Sequence, residues 1–382
     1  MMAVQRRGRT HTVERPCAAI HGLIWEEDEM RRHRGTISKA LLLIAWLGVS
    51  ATQGCVQGSS RGAGTAAPGS DAQGVTTEEV RSLRQAAEGG DARAQYSLGM
   101  MCYWGEGVPK DPAEAARWFR KAAEQGNPNA QYNLGVMYHL GKGVPKNAEE
   151  AVRWFRKAAE QGNADAQAFL GAAYATGDGV PKDPVEAARW FRKAAEQGDP
   201  KAQYNLGVMY HLGDGVPKDA AEAVRWTRKA AEQGVAEAQR NLGAAYAKGD
   251  GVSKDPAEAV RWTRKAAEQG FAPAQCNLGV AYADGVGVSK DAAEAVRWFR
   301  KAAEQGDADA QYALGAMYAN GDGVVASPSA AADWYYRAGQ SYLRAGQREE
   351  ALKAYDAIVA IAPDHFLARR LRAEIYGEAA QP

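Results

Sequence analysis

The chain has 382 residues, 46% of them hydrophobic, with 47 basic against 46 acidic side chains and a formal net charge of +1. That balance excludes a nucleic-acid binder working through basic excess, and the length alone would suit two or three ordinary domains. Four cysteines, Cys17, Cys55, Cys102 and Cys276, have the spacing of neither a zinc site nor a disulfide framework, so no metal and no cofactor is expected.

Residues 1–29 carry mixed, charged text without signal character and read as an upstream segment, with Met30 as the true start. Arg31, Arg32, Arg34 and Lys39 then precede an apolar run from Ala40 to Val49. The run is too short to span a bilayer as a helix, which needs about 20 apolar residues. Basic residues, a short apolar run and small residues make residues 30–54 a secretory signal peptide. Two cleavage points stay open. Val49-Ser50-Ala51 suits a general signal peptidase. Thr52-Gln53-Gly54-Cys55 resembles a bacterial lipobox with Thr in place of the usual Leu, which would make Cys55 the lipidated residue. Residues 55–75 are rich in Gly, Ser and Ala and read as a flexible tether. The expectation is an exported protein, periplasmic or membrane-anchored in a bacterial envelope, touching the membrane only through that lipid.

Residues 76–90 read as a capping helix without a tryptophan. A tryptophan then returns every 36 residues, at Trp118, Trp154, Trp190, Trp226, Trp262, Trp298 and Trp334. A fixed period of that length marks a solenoid, whose units bury their apolar faces only against neighbours. Within a unit, Asn127-Pro128 opens a first helix, with Asn as cap and Pro at the first helical position. Ala130, Leu134, Met137 and Tyr138 face inward, and Gly135 allows close approach of a neighbouring helix. Gly141-Lys142-Gly143 stops the helix. Asn147, or Asp111, Asp183 and Asp255 in other units, caps a second helix with a Glu three residues on. Ala151, Trp154, Phe155, Ala158 and Ala159 are its apolar side, and the aromatic column is expected to be core. The repeated G-x-G follows a helix rather than a strand, so it is a turn and not a phosphate cradle. Arg117, Arg120 and Lys121 are answered in charge by Asp111, Glu114 and Glu124 of the same unit. Cys102 and Cys276 lie almost five units apart and cannot pair within one chain.

The text A-Q-x-x-L-G-x-x-Y, then G-x-G-V-x-K-D, then E-A-x-x-W-x-x-K-A-A-E-Q-G resembles the Sel-one-like repeat, a relative of the tetratricopeptide repeat, over residues 91–332. Residues 333–382 fit one tetratricopeptide-like repeat through Tyr335, Gly339, Tyr342, Gly346, Ala351, Tyr355 and Pro363. A last helix follows, with Leu367, Leu371 and Ile375 inward and Arg369, Arg370 and Arg372 toward water. The resemblance implies an all-α fold, a right-handed α-solenoid of helical hairpins. It also implies a scaffold or adaptor, expected to be a monomer, that binds a protein or peptide along the concave face of its first helices. The groove positions are then Tyr96, Tyr103, Trp104, Tyr132, His139, Tyr204 and His211, beside an Asn133 and Asn205 column able to hydrogen-bond an extended peptide. His139 and His211 stand two units apart. Packed helices lie ~8–10 Å apart, so the pair cannot share an ion.

The rival reading is a cell-wall or β-lactam-related hydrolase of the family's cysteine-rich branch. That branch carries a regular cysteine pair in each repeat, which this chain lacks, along with any Ser-x-x-Lys or His-Glu-x-x-His motif. The chain is therefore expected not to be an enzyme. Thr227 and Thr263 replace the Phe or Tyr of other units, and Val235 and Phe271 stand where Asn or Asp caps are expected. Residues 220–272 are expected to be the soft segment.

Overall fold

The computed structural model describes residues 76–377; the expected leader, Cys55 and the tether lie outside the described residues. Those described are all-helical, with seventeen helices, and fall into two compact units divided between residues 219 and 220. The first holds α1 (Thr77–Glu88), α2 (Ala92–Trp104), α3 (Pro112–Glu124), α4 (Pro128–Leu140), α5 (Ala148–Glu160), α6 (Ala164–Thr176), α7 (Pro184–Glu196) and α8 (Pro200–Leu212). The second holds α9 (Ala220–Glu232), α10 (Ala236–Lys248), α11 (Pro256–Glu268), α12 (Ala272–Asp284), α13 (Ala292–Glu304), α14 (Ala308–Asn320), α15 (Pro328–Arg344), α16 (Arg348–Ile361) and α17 (Phe366–Tyr376). Within each unit consecutive helices pack in sequence, the arrangement of an α-solenoid.

Local chemistry sets the boundaries. Asn127 accepts from the Ala130 N–H at 2.9 Å to start α4, and Gly141, left-handed with φ 70°, ends it by donating to the Met137 carbonyl. Asp111 accepts from the N–H groups of Ala113 and Glu114 to start α3. Gly143 of the loop has φ +71°, and a Cβ there would lie 2.1 Å from the Pro112 carbonyl oxygen. The second glycine of G-x-G therefore seats the loop on the preceding unit's second helix, a contact no larger residue allows.

The core is a set of knobs and flat spots. A Cβ on Gly135 would lie 2.8 Å from the Phe155 ring, so the ring fills the space the glycine leaves. Gly99 with Phe119, Gly171 with Phe191 and Gly279 with Phe299 repeat the arrangement, and these four phenylalanines are buried. Each such side chain contributes roughly 1.5–3 kcal/mol of burial. At Thr263 the helices have closed in: a Cβ on Gly243 would meet the Ala259 carbonyl oxygen at 2.9 Å as well as the threonine hydroxyl. The missing ring is thus partly made up by backbone approach rather than left as a void.

The tryptophans are only partly core. Trp118, Trp190, Trp226 and Trp262 are buried, while Trp154, Trp298 and Trp334 are half-buried. Lysines three residues on, from Lys121 to Lys301, lie over six of the rings with Nζ 4.1–4.4 Å from the centroid. Lys121, one of the charges balanced within its unit, thus covers Trp118. Arg120 leaves its own unit and donates to the Tyr138 hydroxyl. Arg156 with Tyr174 at 2.7 Å and Arg264 with Tyr282 at 2.8 Å repeat that link.

A buried glutamine in each first helix adds a second ladder. Gln95, Gln131, Gln167, Gln203, Gln239, Gln275 and Gln311 are all buried. Each donates to the carbonyl eight residues earlier, at the end of the preceding second helix, at 3.0–3.1 Å. Val235 and Phe271 make no side-chain cap, as expected from their types. The division drawn between residues 332 and 333 falls inside α15, which serves both the last tryptophan-bearing hairpin and the segment after it. Cys102 and Cys276 are free, buried thiols.

Candidate functional site

The candidate surface in the first unit is the face made by α2, α4, α6 and α8. Direct contacts place these first helices side by side. Asn163 donates to Asn129 Oδ1 at 3.3 Å, and the Asn133 amide donates to the Met100 thioether at 3.2 Å. Asn133 also reaches the Tyr96 hydroxyl, while burial pushes that phenol's pKa up. Asn133 therefore already ties α4 to α2, whatever it offers an incoming peptide. Asn205 is half-buried on α8.

The aromatic residues divide by exposure. Trp104 is 53% exposed, with Tyr103 edge-on to it at 5.0 Å between ring centroids. Lys142 lies over the Tyr103 ring at 6.0 Å. Tyr96 and Tyr132 are half-buried, each 5.8 Å from the phenylalanine of its own unit, Phe119 and Phe155. They belong partly to the core. Burial raises the pKa of Tyr132, and the charges of Asp165 and Asp199 add to the shift. Burial also raises both of those carboxyls, opposed by Lys201.

His139 is half-buried. Its Nδ1 lies 3.5 Å from Asp178 Oδ2, and its ring meets Phe169 edge-on at 5.0 Å. Burial lowers its pKa more than Asp178 raises it, and Lys146 lowers it further. His211 and Tyr204 are half-buried on α8. Among the described residues no group of three His, Cys, Asp or Glu side chains could hold a metal ion. No described helix is long and apolar enough to cross a membrane.

The Sel1 repeat model matches residues 92–127, 128–163, 164–199, 200–235, 236–271, 272–307 and 308–341, more than half of the chain. The chain belongs to the Sel1 repeat family. A tetratricopeptide repeat model matches residues 336–378 of this Sel1 chain. A protective antigen present in uropathogenic Escherichia coli strains, displaying an SLR fold, is 35% identical with a TM-score of 0.66. That match covers 79% of this chain and 68% of the antigen. A Sel1 repeat protein from Oxalobacter formigenes is 38% identical with a TM-score of 0.57, covering 64% of this chain and 96% of that one. No curated protein matches the chain. Sel1 and tetratricopeptide repeats are generally protein-interaction scaffolds, and the fold is typically non-enzymatic.

Two features of this Sel1 chain, the Phe169 interruption and the glutamine ladder, escape the sequence reading, whereas Arg240 is legible in it as a charged groove position beside Glu237 and Lys248. Phe169 stands where Asn133 and Asn205 stand in their units; its ring stacks on Phe155 at 4.1 Å and interrupts the asparagine column. Arg240 and Cys276 replace the Tyr96, Tyr132, Tyr204 and Tyr312 column in the second unit. The glutamine ladder was visible only as the repeated A-Q pair, which shows a constraint but not its partner.

Proposed function

We propose that this Sel1 chain is a non-catalytic interaction scaffold of a bacterial cell envelope, taking a protein or peptide along the first-helix face of residues 76–219. One observation carries the reading: Trp104, 53% exposed, is the last residue of α2 and stands against Tyr103, on a helix face whose other aromatics are half sunk into the core. Exposed Trp and Tyr on a rigid helix are efficient interface anchors, because they bring large area at low entropic cost. The lysines of the opposite face are already laid over tryptophans, which leaves that face chiefly solvating.

The leader text supports export, with Cys55 as the lipidated residue and residues 55–75 as the tether. On this reading the protein acts as a monomer, without cofactor or nucleic acid. Photo-crosslinking from envelope extracts tests the partner assignment. A crosslinker at Trp104 is expected to capture a discrete partner, and one at Lys121 is not; the reverse result contradicts it. Mass spectrometry of the mature N-terminus tests the anchor. A diacylglyceryl Cys55 is expected, and an unmodified Thr52 overturns it.

A further inference from the structure

The last described helix sorts its charges onto two faces. On α17, Leu367, Leu371 and Ile375 are buried. At 3.6 residues per turn, Phe366, Arg369, Arg372 and Tyr376 share an arc of roughly 120° on the opposite side. All four are exposed, Phe366 by 59% and Tyr376 by 51%. The carboxylate of this helix is turned away from them. Glu374 accepts from the Tyr336 hydroxyl at 2.6 Å and the Gln340 amide at 3.3 Å, both on α15, and from Arg370 Nε at 3.3 Å.

Arg369 and Arg372 depart from the pattern of the repeats. In α5, α7, α9, α11 and α13 the exposed Arg153, Arg189, Arg225, Arg261 and Arg297 each meet a glutamate three residues earlier, at 2.5–3.2 Å. No acid stands three or four residues from Arg369 or Arg372 in either direction. Arg370 has its pair in Glu374, and among the described residues Arg369 and Arg372 have none. Arg348 of α16 adds a cation at the end of the face, its guanidinium 5.2 Å from the Tyr376 ring centroid. Asp364, two residues ahead of Phe366, stands at the other end. Two unpaired arginines between two exposed rings make a face of the composition that protein interfaces favour, and its charge selects an acidic partner.

The spacing says what form that partner takes. Phe366 and Tyr376 are ten residues apart, about 15 Å along the axis, with the arginines one turn apart between them. A helix laid alongside matches that register with two apolar residues ten places apart and acids at the third and sixth places between. An extended strand alternates its faces and brings a single acid to the same length. A bilayer fits worse: the apolar side of α17 is already buried and His365 stacks on Phe366 at 5.0 Å, so no apolar face is left to insert.

We propose that the outward face of α17 docks an acidic helix of a partner protein, its apolar side chains against Phe366 and Tyr376 and its carboxylates on Arg369 and Arg372. The surface lies on the second unit, and the proposal stands whether or not Trp104 captures a partner.

Fluorescence anisotropy with the full chain tests it. The probe is a fluorescein-labelled helical peptide of Ala and Gln, with two Leu ten places apart and Glu at the third and sixth places between. Companion peptides carry Gln or Lys in place of both Glu. At low ionic strength the Glu probe is expected to bind about fivefold tighter than the Gln peptide, and the Lys peptide more weakly still. Arg369→Gln with Arg372→Gln is expected to remove that fivefold preference. Phe366→Ala with Tyr376→Ala is expected to weaken the Glu probe about tenfold or more, with helicity unchanged. Arg153→Gln with Arg189→Gln, on the paired arginines of α5 and α7, is expected to bind as the unmodified chain does. Equal binding of the three peptides overturns the proposal, and so does equal loss in the Arg153/Arg189 variant, which would mark diffuse attraction to the whole surface. Phosphatidylglycerol vesicles that bind through Arg369 and Arg372 while every peptide fails would place a membrane on this face and overturn it as well. None of these outcomes bears on capture at Trp104, which the crosslinking experiment reads separately.

Discussion

Gln161 donates its side-chain amide to Gln131 Oε1 at 2.8 Å, and Gln131 in turn donates to the main-chain carbonyl of Ala123 at 3.0 Å. Two hydrogen bonds through one buried side chain thus join α3, α4 and α5. The same relay runs through Gln125 and Gln95 to Ala87, and through Gln305 and Gln275 to Ala267. Low local dielectric strengthens such a relay and makes a gap in it costly.

Gln131→Leu is close in size but makes neither bond. It is expected to destabilise the first unit by about 1–3 kcal/mol. Denaturant unfolding reads the total. Hydrogen exchange is expected to speed up in α3, α4 and α5 and to leave α13 to α17 unchanged, since repeats couple to their neighbours. Unchanged stability would mean the relay is incidental.

Two helices without side-chain caps, α10 and α12, lie in and just after residues 220–272, and a third, α16, lies near the end of the described residues. Val235→Asn is expected to gain about 1 kcal/mol by accepting an N–H of the first turn of α10. In the unmodified chain, amides of α10 and α11 are expected to exchange faster than those of α13 and α14. Because the backbone has closed in around Thr263, Thr263→Phe is expected to crowd Gly243 rather than stabilise. A clear gain in melting temperature from Thr263→Phe would contradict the packing described.

Asp307 provides a pH-dependent term. Burial raises its carboxyl to about 6 from an unperturbed 3.8, outweighing the Ala310 N–H bond. The folded state therefore holds the proton more tightly than the unfolded chain. Between about pH 4 and 6 stability falls as pH rises, and above that window the full penalty is present. At neutral pH the penalty amounts to about 3 kcal/mol as an upper bound. Asp307→Asn keeps a capping oxygen and removes the charge. It is expected to raise the stability of the second unit at pH 7 and to flatten its dependence between pH 4 and 6. A loss of stability at pH 7 would show that the charged cap is needed.

Helix boundaries were legible because they rest on single residues with one job. Asn127, Asp111 and Gly141 cap or stop helices by their own chemistry, and each does so at the position read from the text. The tryptophan period gave the hairpin count for the same reason. Partners far along the chain were not legible. Arg120 read only as one charge of a balanced unit, but it donates to Tyr138, eighteen residues on in the next first helix. Gln131 stood out only as part of the repeated A-Q pair, because nothing local tells that the Ala123 carbonyl sits beside it. The groove was legible as a face but not in depth. Tyr96 and Tyr132 share a face with Trp104, yet packing against Phe119 and Phe155 sinks them partly into the core, while Trp104 at the helix end stays out.

That difference fixes the central measurement. Tyr132→Ala would disturb the core around Phe155, whereas Tyr103→Ala with Trp104→Ala removes the exposed anchor at the end of α2. The affinity of the crosslinked partner for this double variant tests the scaffold reading most directly. Losing an anchor of this kind costs about 2 kcal/mol or more, so roughly 30-fold weaker binding is expected with helicity unchanged. Lys121→Ala with Lys157→Ala is expected to bind as the unmodified chain does. Full affinity in the Tyr103/Trp104 variant and lost affinity in the lysine variant would place the partner on the second helices and contradict the account.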